Sequence, residues 1–194
     1  MRDWKSAAAL EPAAGSPPEV ATLVYWARVL ADGRLRHARQ ALAGLARYDA
    51  LMAEVKKGKH AYMAEGTGPK IQRGEMLAWT AFAEGKQEEA LTNMRTAADL
   101  QDKVGQAEVD IPAREMAADM LLEFGRPKQA LTEYEVALKL SPNRLNGPYN
   151  AGEPAKAEFY YATLLKSTNN GQDSARPELA HARSFAGSQQ AASK

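Results

Sequence analysis

Glycine and proline interrupt the 194-residue sequence at intervals of helix length. Between the interruptions, apolar residues recur three and four positions apart, as at Met76, Trp79 and Ala83, and this is the period of a helix that buries one side. No segment alternates apolar and polar residues for long enough to indicate a strand. The pattern predicts helices at residues 18–31, 35–57, 71–84, 87–100, 112–124, 128–140, 154–166 and 177–186.

The composition points to the same fold class. Alanine supplies about a fifth of the residues, whereas isoleucine occurs only at Ile71 and Ile111. Alanine has the highest helix propensity, and β-branched residues such as isoleucine favour strands. The sequence therefore predicts an all-α protein without a β-sheet.

Membrane and targeting segments are not expected. No apolar run approaches the roughly 18 residues that a membrane-spanning helix needs. The N-terminal sequence MRDWKSAAALEP lacks the apolar stretch of a secretory signal. We expect no membrane insertion and a cytoplasmic location by default, or a periplasmic one if the chain belongs to a longer exported protein.

Residues that commonly carry chemistry are few. The sequence contains no cysteine, which excludes disulfides, thiol nucleophiles and cysteine-ligated metals. Its histidines, His37, His60 and His181, lie in separate segments without the partner spacing of a metal site. The segment EGTGPK at 65–70 lacks the spacing of a phosphate-binding loop and is interpreted as a connecting loop. We expect no catalytic residue, metal or cofactor; a helical enzyme or small-molecule binder with a pocket is an alternative.

Two segments align residue by residue when Gly85 is set against Gly125: MLAWTAFAEGKQEEALTNMRTAA and MAADMLLEFGRPKQALTEYEVAL. A third, AGEPAKAEFYYATLL, matches the second half of the unit. In such a unit glycine turns the chain between two helices, small residues let the helices approach, and a large residue fills the gap between pairs. The residues assigned to this packing are Leu77, Ala78, Gly85, Ala90, Ala97, Ala118, Leu121, Gly125, Ala130, Tyr134, Ala137, Pro142, Gly152, Ala157 and Tyr161.

This unit resembles the tetratricopeptide repeat, a helix-turn-helix of about 34 residues with the pattern W-x2-L-G-x2-Y, A-x3-F and P. Residues 111–144 match it best, and residues 71–104 come next. The stretches RDWKSAAALEP, YWARVL, ARPELAHAR and IPAREMAADMLLEFGRPKQALTEYEVALKLSPNR are also similar to the C-terminal part of a group of uncharacterised bacterial tetratricopeptide proteins. The resemblance implies a right-handed α-solenoid of stacked hairpins that serves as a non-enzymatic protein-interaction module or scaffold.

The resemblance also implies a division of the chain. The parts are a repeat array at 1–166, with degenerate repeats at 18–57 and 145–166 and an orphan helix at 2–10, then a capping helix region at 167–186 and a flexible tail at 187–194. The first repeat departs from the pattern, because a turn at Gly33 puts the bulky Trp26 at a small position. The orphan helix fits the second half of a repeat that begins before Met1, so we expect the chain to be either a C-terminal fragment or a shortened relative of a longer array.

The resemblance further implies that the first helix of each hairpin lines a concave groove. An acidic groove with an aromatic floor would bind a peptide that has basic and apolar residues. An alternative is that Trp79 and Phe82 pack in the core instead. The groove residues implied by repeat position are Gln72, Glu75, Trp79, Phe82, Glu115, Asp119, Leu122 and Glu123.

The formal net charge of +1 hides a strong asymmetry. Residues 34–73 contain nine Lys or Arg and three acids, whereas residues 75–135 contain six Lys or Arg and thirteen acids. One interpretation is that the basic segment binds RNA or another anionic surface. The interpretation that we favour is that neighbouring repeats attract each other and that both runs lie on solvated helix faces. We therefore favour nucleic acid less than a peptide or protein as the partner. Homo-oligomers could also form through exposed end helices.

Overall fold

The computed structural model describes residues 3–105 and 111–140 of the chain. These residues fold into helices joined by short turns, and they contain no strand. The all-α prediction is therefore confirmed for the described residues. Their helices are α1 (Trp4–Ala8), α2 (Pro18–Arg34), α3 (Ala38–Val55), α4 (Tyr62–Glu65), α5 (Thr67–Ala83), α6 (Gln87–Val104), α7 (Ala113–Glu123) and α8 (Pro127–Leu140).

Four helix boundaries differ by three or four residues from those predicted. Helix α3 begins at Ala38 and not at residue 35, and α6 ends at Val104 and not at residue 100. Helix α2 continues through Gly33 to Arg34, and α5 begins at Thr67. Most of the segment 65–70 is therefore the first turn of a helix and not a loop. Pro69 is accommodated there because the first N–H groups of a helix have no partner within the helix. The helices predicted at 154–166 and 177–186, the capping helix region and the tail lie outside the described residues.

Three helix pairs are joined by the same turn. Each turn has three residues, and the middle residue is left-handed: Arg36 at φ 62°, Gly85 at φ 79° and Gly125 at φ 70°. The N–H after the middle residue donates to the carbonyl five positions earlier, which is the C-terminal capping pattern that a left-handed residue permits. These bonds are His37 N to Asp32 O, Lys86 N to Ala81 O and Arg126 N to Leu121 O, each 2.9 Å long.

The turn predicted at Gly33 is wrong. Gly33 lies inside α2, three positions before the actual turn residue Arg36. A Cβ atom at Gly33 would lie 2.6 Å from Cβ of Trp79 and 2.7 Å from its carbonyl oxygen. Glycine is therefore required here because α2 and α5 approach very closely, and not because the chain turns.

With Arg36 as the turn residue, the first hairpin falls into register with the other two. The small residues that lie seven positions before and five positions after each turn residue have 0% exposure in all three hairpins. They are Val29, Ala78 and Ala118 before the turn, and Ala41, Ala90 and Ala130 after it. Nine positions after the turn, a large side chain is buried each time: Leu45, Met94 and Tyr134.

The six long helices, α2, α3 and α5 to α8, share one apolar core. Helix α2 packs on α3 and α5, α5 also packs on α3 and α6, α6 packs on α7, and α7 packs on α8. The short α1 contacts α2. Among the predicted packing residues, Leu77 is half-buried and Gly85 and Gly125 occupy the turns. Ala78, Ala90, Ala97, Ala118, Leu121, Ala130, Tyr134 and Ala137 are buried, whereas Pro142, Gly152, Ala157 and Tyr161 lie outside the described residues.

Gly33→Ala is expected to lower the free energy of unfolding by about 3 kcal/mol, because the added methyl group meets backbone atoms of Trp79 that cannot rotate away. Gly58→Ala is the matched control, since a Cβ atom there makes only ordinary contacts at 3.5 Å. Urea unfolding followed by circular dichroism measures both variants. Equal stability of the two variants would show that α2 and α5 do not approach as closely as described.

Substitutions of Arg36 test whether the first turn depends on the arginine side chain. Its Nη1 donates to the Phe82 carbonyl at 2.6 Å, and its guanidinium lies 3.5 Å from the centre of the Phe82 ring. Arg36→Ala loses these contacts and keeps a left-handed residue with a Cβ, whereas Arg36→Gly loses the contacts and removes the strain. Arg36→Gly should therefore be the more stable of the two by about 1 kcal/mol in urea unfolding. The reverse order would contradict the left-handed turn.

Candidate functional site

Most of the eight predicted groove residues point into the protein. Gln72 and Leu122 are half-buried, and Glu123 is exposed. The five others pack against the protein's own helices: Glu75, Trp79, Phe82, Glu115 and Asp119 are buried. For Trp79 and Phe82, the alternative of a core position is the one observed. The partner-binding role of the set stays a prediction, and the five buried side chains do not face solvent.

The structure gathers several of these residues with Arg34 at the junction of α2, α5, α7 and α8. Arg34 Nη2 donates to Oδ2 of Asp119 at 2.6 Å, and the Tyr134 hydroxyl donates to Oδ1 of the same carboxylate through a short hydrogen bond. The side chains of Arg34 and Asp119 are 10% and 6% exposed. A buried charge pair of this kind holds its helices in one arrangement, because separating the partners leaves a charge without compensation.

The same guanidinium contacts two indole rings. It lies 4.9 Å from the ring centre of Trp4 and 4.6 Å from that of Trp79, which is within the range of cation–π attraction. Its Nε atom is buried and makes no hydrogen bond. We call Trp4, Arg34, Trp79, Asp119 and Tyr134 the Arg34 cluster.

Aromatic contacts continue from this cluster along α5. Trp79 Nε1 points at Sδ of Met116 at 3.3 Å, and its ring meets Phe82 edge to face at 5.0 Å between centroids. The Phe82 ring lies 5.2 Å from that of Phe124 in the following hairpin. Such rings supply large buried areas with preferred orientations. The aromatic floor that was predicted is thus an internal contact between neighbouring hairpins.

A second polar contact joins α2 to α5. Trp26 Nε1 donates to Oε2 of Glu75 at 2.8 Å, and nearby the Tyr48 hydroxyl donates to Oε1 of Gln72 at 3.2 Å. Burial raises the pKa of Tyr48 to about 12, and the charges of Asp49 and Glu75 add to the effect. Tyr48 therefore remains a neutral donor at physiological pH.

Sequence reasoning missed Arg34, Trp26 and Trp4 as members of a site. Trp26 was missed because the first turn was placed at Gly33. With the turn at Arg36, Trp26 lies ten positions before the turn residue, as Glu75 and Glu115 do in the other two hairpins. For Arg34 no local pattern exists, since its carboxylate partner lies 85 positions away in the chain.

Part of the acidic segment is neutralised within the protein. Arg114 on α7 donates to Asp99 at 2.6 Å and to Asp102 at 2.5 Å on α6, and to Glu133 on α8 at 2.9 Å. Burial lowers the pKa of Arg114, but the hydrogen bonds to Asp102, Glu133 and Asp99 outweigh it and hold this pKa above its usual range. Asp102, in the last turn of α6, thus serves to bind Arg114.

The basic segment behaves differently. Three of its cations are engaged internally: Arg34 with Asp119, Arg36 with the Phe82 carbonyl, and Arg73 with Asp49. The Arg34–Asp119 contact joins the basic and acidic segments, but it is buried and links the first hairpin to the third, whereas the prediction was an attraction between neighbouring repeats on solvated faces. Within the described ranges the other six are exposed and have no carboxylate partner: Arg39, Arg47, Lys56, Lys57, Lys59 and Lys70.

Comparison of the chain with protein-family models, with curated proteins and with solved structures found no match. Residues 3–105 and 111–140 contain no group of three or more histidine, aspartate and glutamate side chains arranged to hold a metal ion. In the same part of the chain, none of the helices has the length and apolar character needed to cross a bilayer.

Asp119→Asn tests the Arg34 cluster. The variant removes the buried counter-charge of the Arg34 guanidinium, so the free energy of unfolding should fall by about 3 kcal/mol. Glu123→Gln is the control, because Glu123 is exposed and its Oε1 lies 3.8 Å from Arg34 Nη1; it should cost less than about 0.5 kcal/mol. Equal losses in urea unfolding would mean that water screens the Arg34–Asp119 pair.

Proposed function

We propose that the chain is a non-enzymatic interaction module, built of tetratricopeptide-like hairpins stacked as a right-handed solenoid, that binds a peptide or protein partner. The observation that carries the proposal is the equivalence of the three hairpins around Arg36, Gly85 and Gly125. Hairpins with the same turn and the same small residues at their contacts can stack in the same way, and stacked hairpins present one continuous surface.

The partner surface needs a revised set of residues. Of the four carboxylates on which a preference for a basic partner depended, Glu123 is exposed. The other three, Glu75, Glu115 and Asp119, are buried, and Asp119 is paired with Arg34. On the first helix of the first hairpin, Val20 and Leu23 are 47% and 51% exposed, one turn apart. Leu23 occupies the repeat position of Gln72, which belongs to the predicted groove. These exposed apolar side chains are the anchors that we assign to the partner.

The six exposed cations favour a second candidate function. Three of them, Lys56, Lys57 and Lys59, lie within four positions of one another after α3. A cluster of solvated cations attracts anionic surfaces, including nucleic acid, and such binding weakens steeply as salt concentration rises. The alternative of an enzyme or small-molecule binder has no comparable observation in its favour.

Affinity capture from the source organism tests the proposed function. The variant Val20→Asp/Leu23→Asp should lose at least one protein partner that the wild-type chain retains, since a charge replaces the apolar anchors. Leu42→Asp is the matched control, because Leu42 is a leucine of similar exposure, 47%, on the second helix of the same hairpin. Circular-dichroism melts of all three proteins should coincide.

Two outcomes would contradict the proposal. In one, every captured protein is retained by all the variants. In the other, capture is lost only when Lys56, Lys57 and Lys59 are changed to serine, and it is also lost in high salt, which would favour the anionic partner instead.

A further inference from the structure

Residues 3–11, which we call the strap, lie on α2 without being part of the core. Helix α1 within the strap has five residues, and none of them is buried. Its shape is maintained locally: Asp3 accepts hydrogen bonds from the Ser6 N–H at 3.1 Å and from the Ser6 hydroxyl at 2.7 Å. These bonds also lower the pKa of Asp3. The strap therefore keeps its helical turn through its own contacts rather than through burial.

Two side chains attach the strap to α2. The Trp4 ring lies 4.9 Å from the Arg34 guanidinium, and Glu11 Oε1 pairs with Arg28 Nη1 at 2.6 Å. Arg28 and Arg34 lie six positions apart on one helix, which is about 9 Å along its axis. Their side chains leave the helix about 120° apart, and the strap contacts both of them. We call the surface under the strap the face: its Arg34 end accepts an aromatic ring, and its Arg28 end accepts a carboxylate.

The aromatic end is already organised for a ligand. Asp119 and Trp79 hold the Arg34 guanidinium in place, and nine-tenths of that side chain is buried. Its Nε donor has no acceptor. The indole of Trp4 cannot supply one, because tryptophan carries a donor and no acceptor. The strap thus occupies the face but leaves the Nε–H donor of Arg34 without a hydrogen bond.

We propose that the strap is an intramolecular stand-in for a segment of a partner protein, and that this partner displaces it. The partner segment carries an aromatic side chain and a carboxylate about seven residues later, as Trp4 and Glu11 do. It also places an acceptor oxygen beside the aromatic ring, where Arg34 Nε can donate to it. This inference rests on the proposed function and names the chemistry of its partner.

The connection to the body allows the exchange. Residues 12–17 link Glu11 to α2 and include Pro12, the left-handed Gly15 at φ 77°, and Pro17. A short tether of this kind keeps the strap at a high effective concentration, in the millimolar range. A free peptide therefore competes poorly with an intact strap and well with a weakened one.

A fluorescently labelled peptide of residues 1–13, MRDWKSAAALEPA, is the probe, and anisotropy titration of the full chain gives its Kd. The Trp4→Ala chain should bind it at least tenfold more tightly than the wild-type chain, because its own strap no longer occupies the aromatic end. Glu11→Gln should give a smaller gain, and this exposed position cannot impair folding. A peptide with alanine in place of its tryptophan should bind neither chain.

Arg28→Gln placed in the Trp4→Ala chain should weaken peptide binding several-fold, since it removes the carboxylate end of the face. Equal Kd values for the wild-type and Trp4→Ala chains, or binding that does not depend on the peptide's tryptophan, would overturn the proposal. A wild-type dimer that Trp4→Ala abolishes, measured by light scattering, would also overturn it, because the occupant would then be a second copy. The assay needs no cellular partner, so its result is independent of the capture experiment on Val20 and Leu23.

Discussion

The close approach of α2 to α5 at Gly33 is the constraint on which the other contacts of the structure depend. Without a side chain at Gly33, the backbone of α2 lies against Trp79. This approach lets Arg34 reach the Trp79 ring and the carboxylate of Asp119 beyond it. Three positions after Gly33, Arg36 reaches the last turn of α5 through the Phe82 carbonyl, where the helix dipole favours a cation. Gly33, Arg34 and Arg36 thus join the first hairpin to both of the others.

Charge in this molecule fixes positions more than it adds stability. Desolvation of Arg34 and Asp119 offsets much of their attraction, as is general for buried ion pairs. What the pair does provide is a unique arrangement, because any shift of α2 against α7 exposes two uncompensated charges. Arg114 fixes the positions of α6, α7 and α8 in the same way, through its ion pairs with carboxylates of α6 and α8. The net charge is nearly neutral, but the charges behind it have two different roles. Some form buried pairs between helices, and others form an exposed basic group around α3.

The sequence predicts the described helices other than α4, two of the three turns and the small contact residues, because these depend on local propensity and on the spacing of alanines and glycines. It does not predict the first turn, since an arginine in the left-handed region has no sequence signature and Gly33 is the more plausible candidate. Nor does it predict that Glu75 and Asp119 are buried. An acidic residue on a helix face is ordinarily solvated, and the partners that permit burial here, Trp26 and Arg34, are distant in the chain.

Burial of the carboxylates changes which charges can recognise a partner. Asp119 is paired with Arg34, and Glu75 accepts from Trp26. In the proposed interaction, the groups of α2 that would recognise the partner are therefore Arg28 and Arg34. Arg28 is engaged by a strap carboxylate that is 68% exposed, and the contact is worth little in water. Arg34 is held by deep, permanent contacts and has one buried donor still unused. Arg34 is thus fixed in place, whereas the strap beside it is weakly bound. A ligand that replaces the strap binds with higher affinity in such an arrangement, because no further free energy is needed to organise the site.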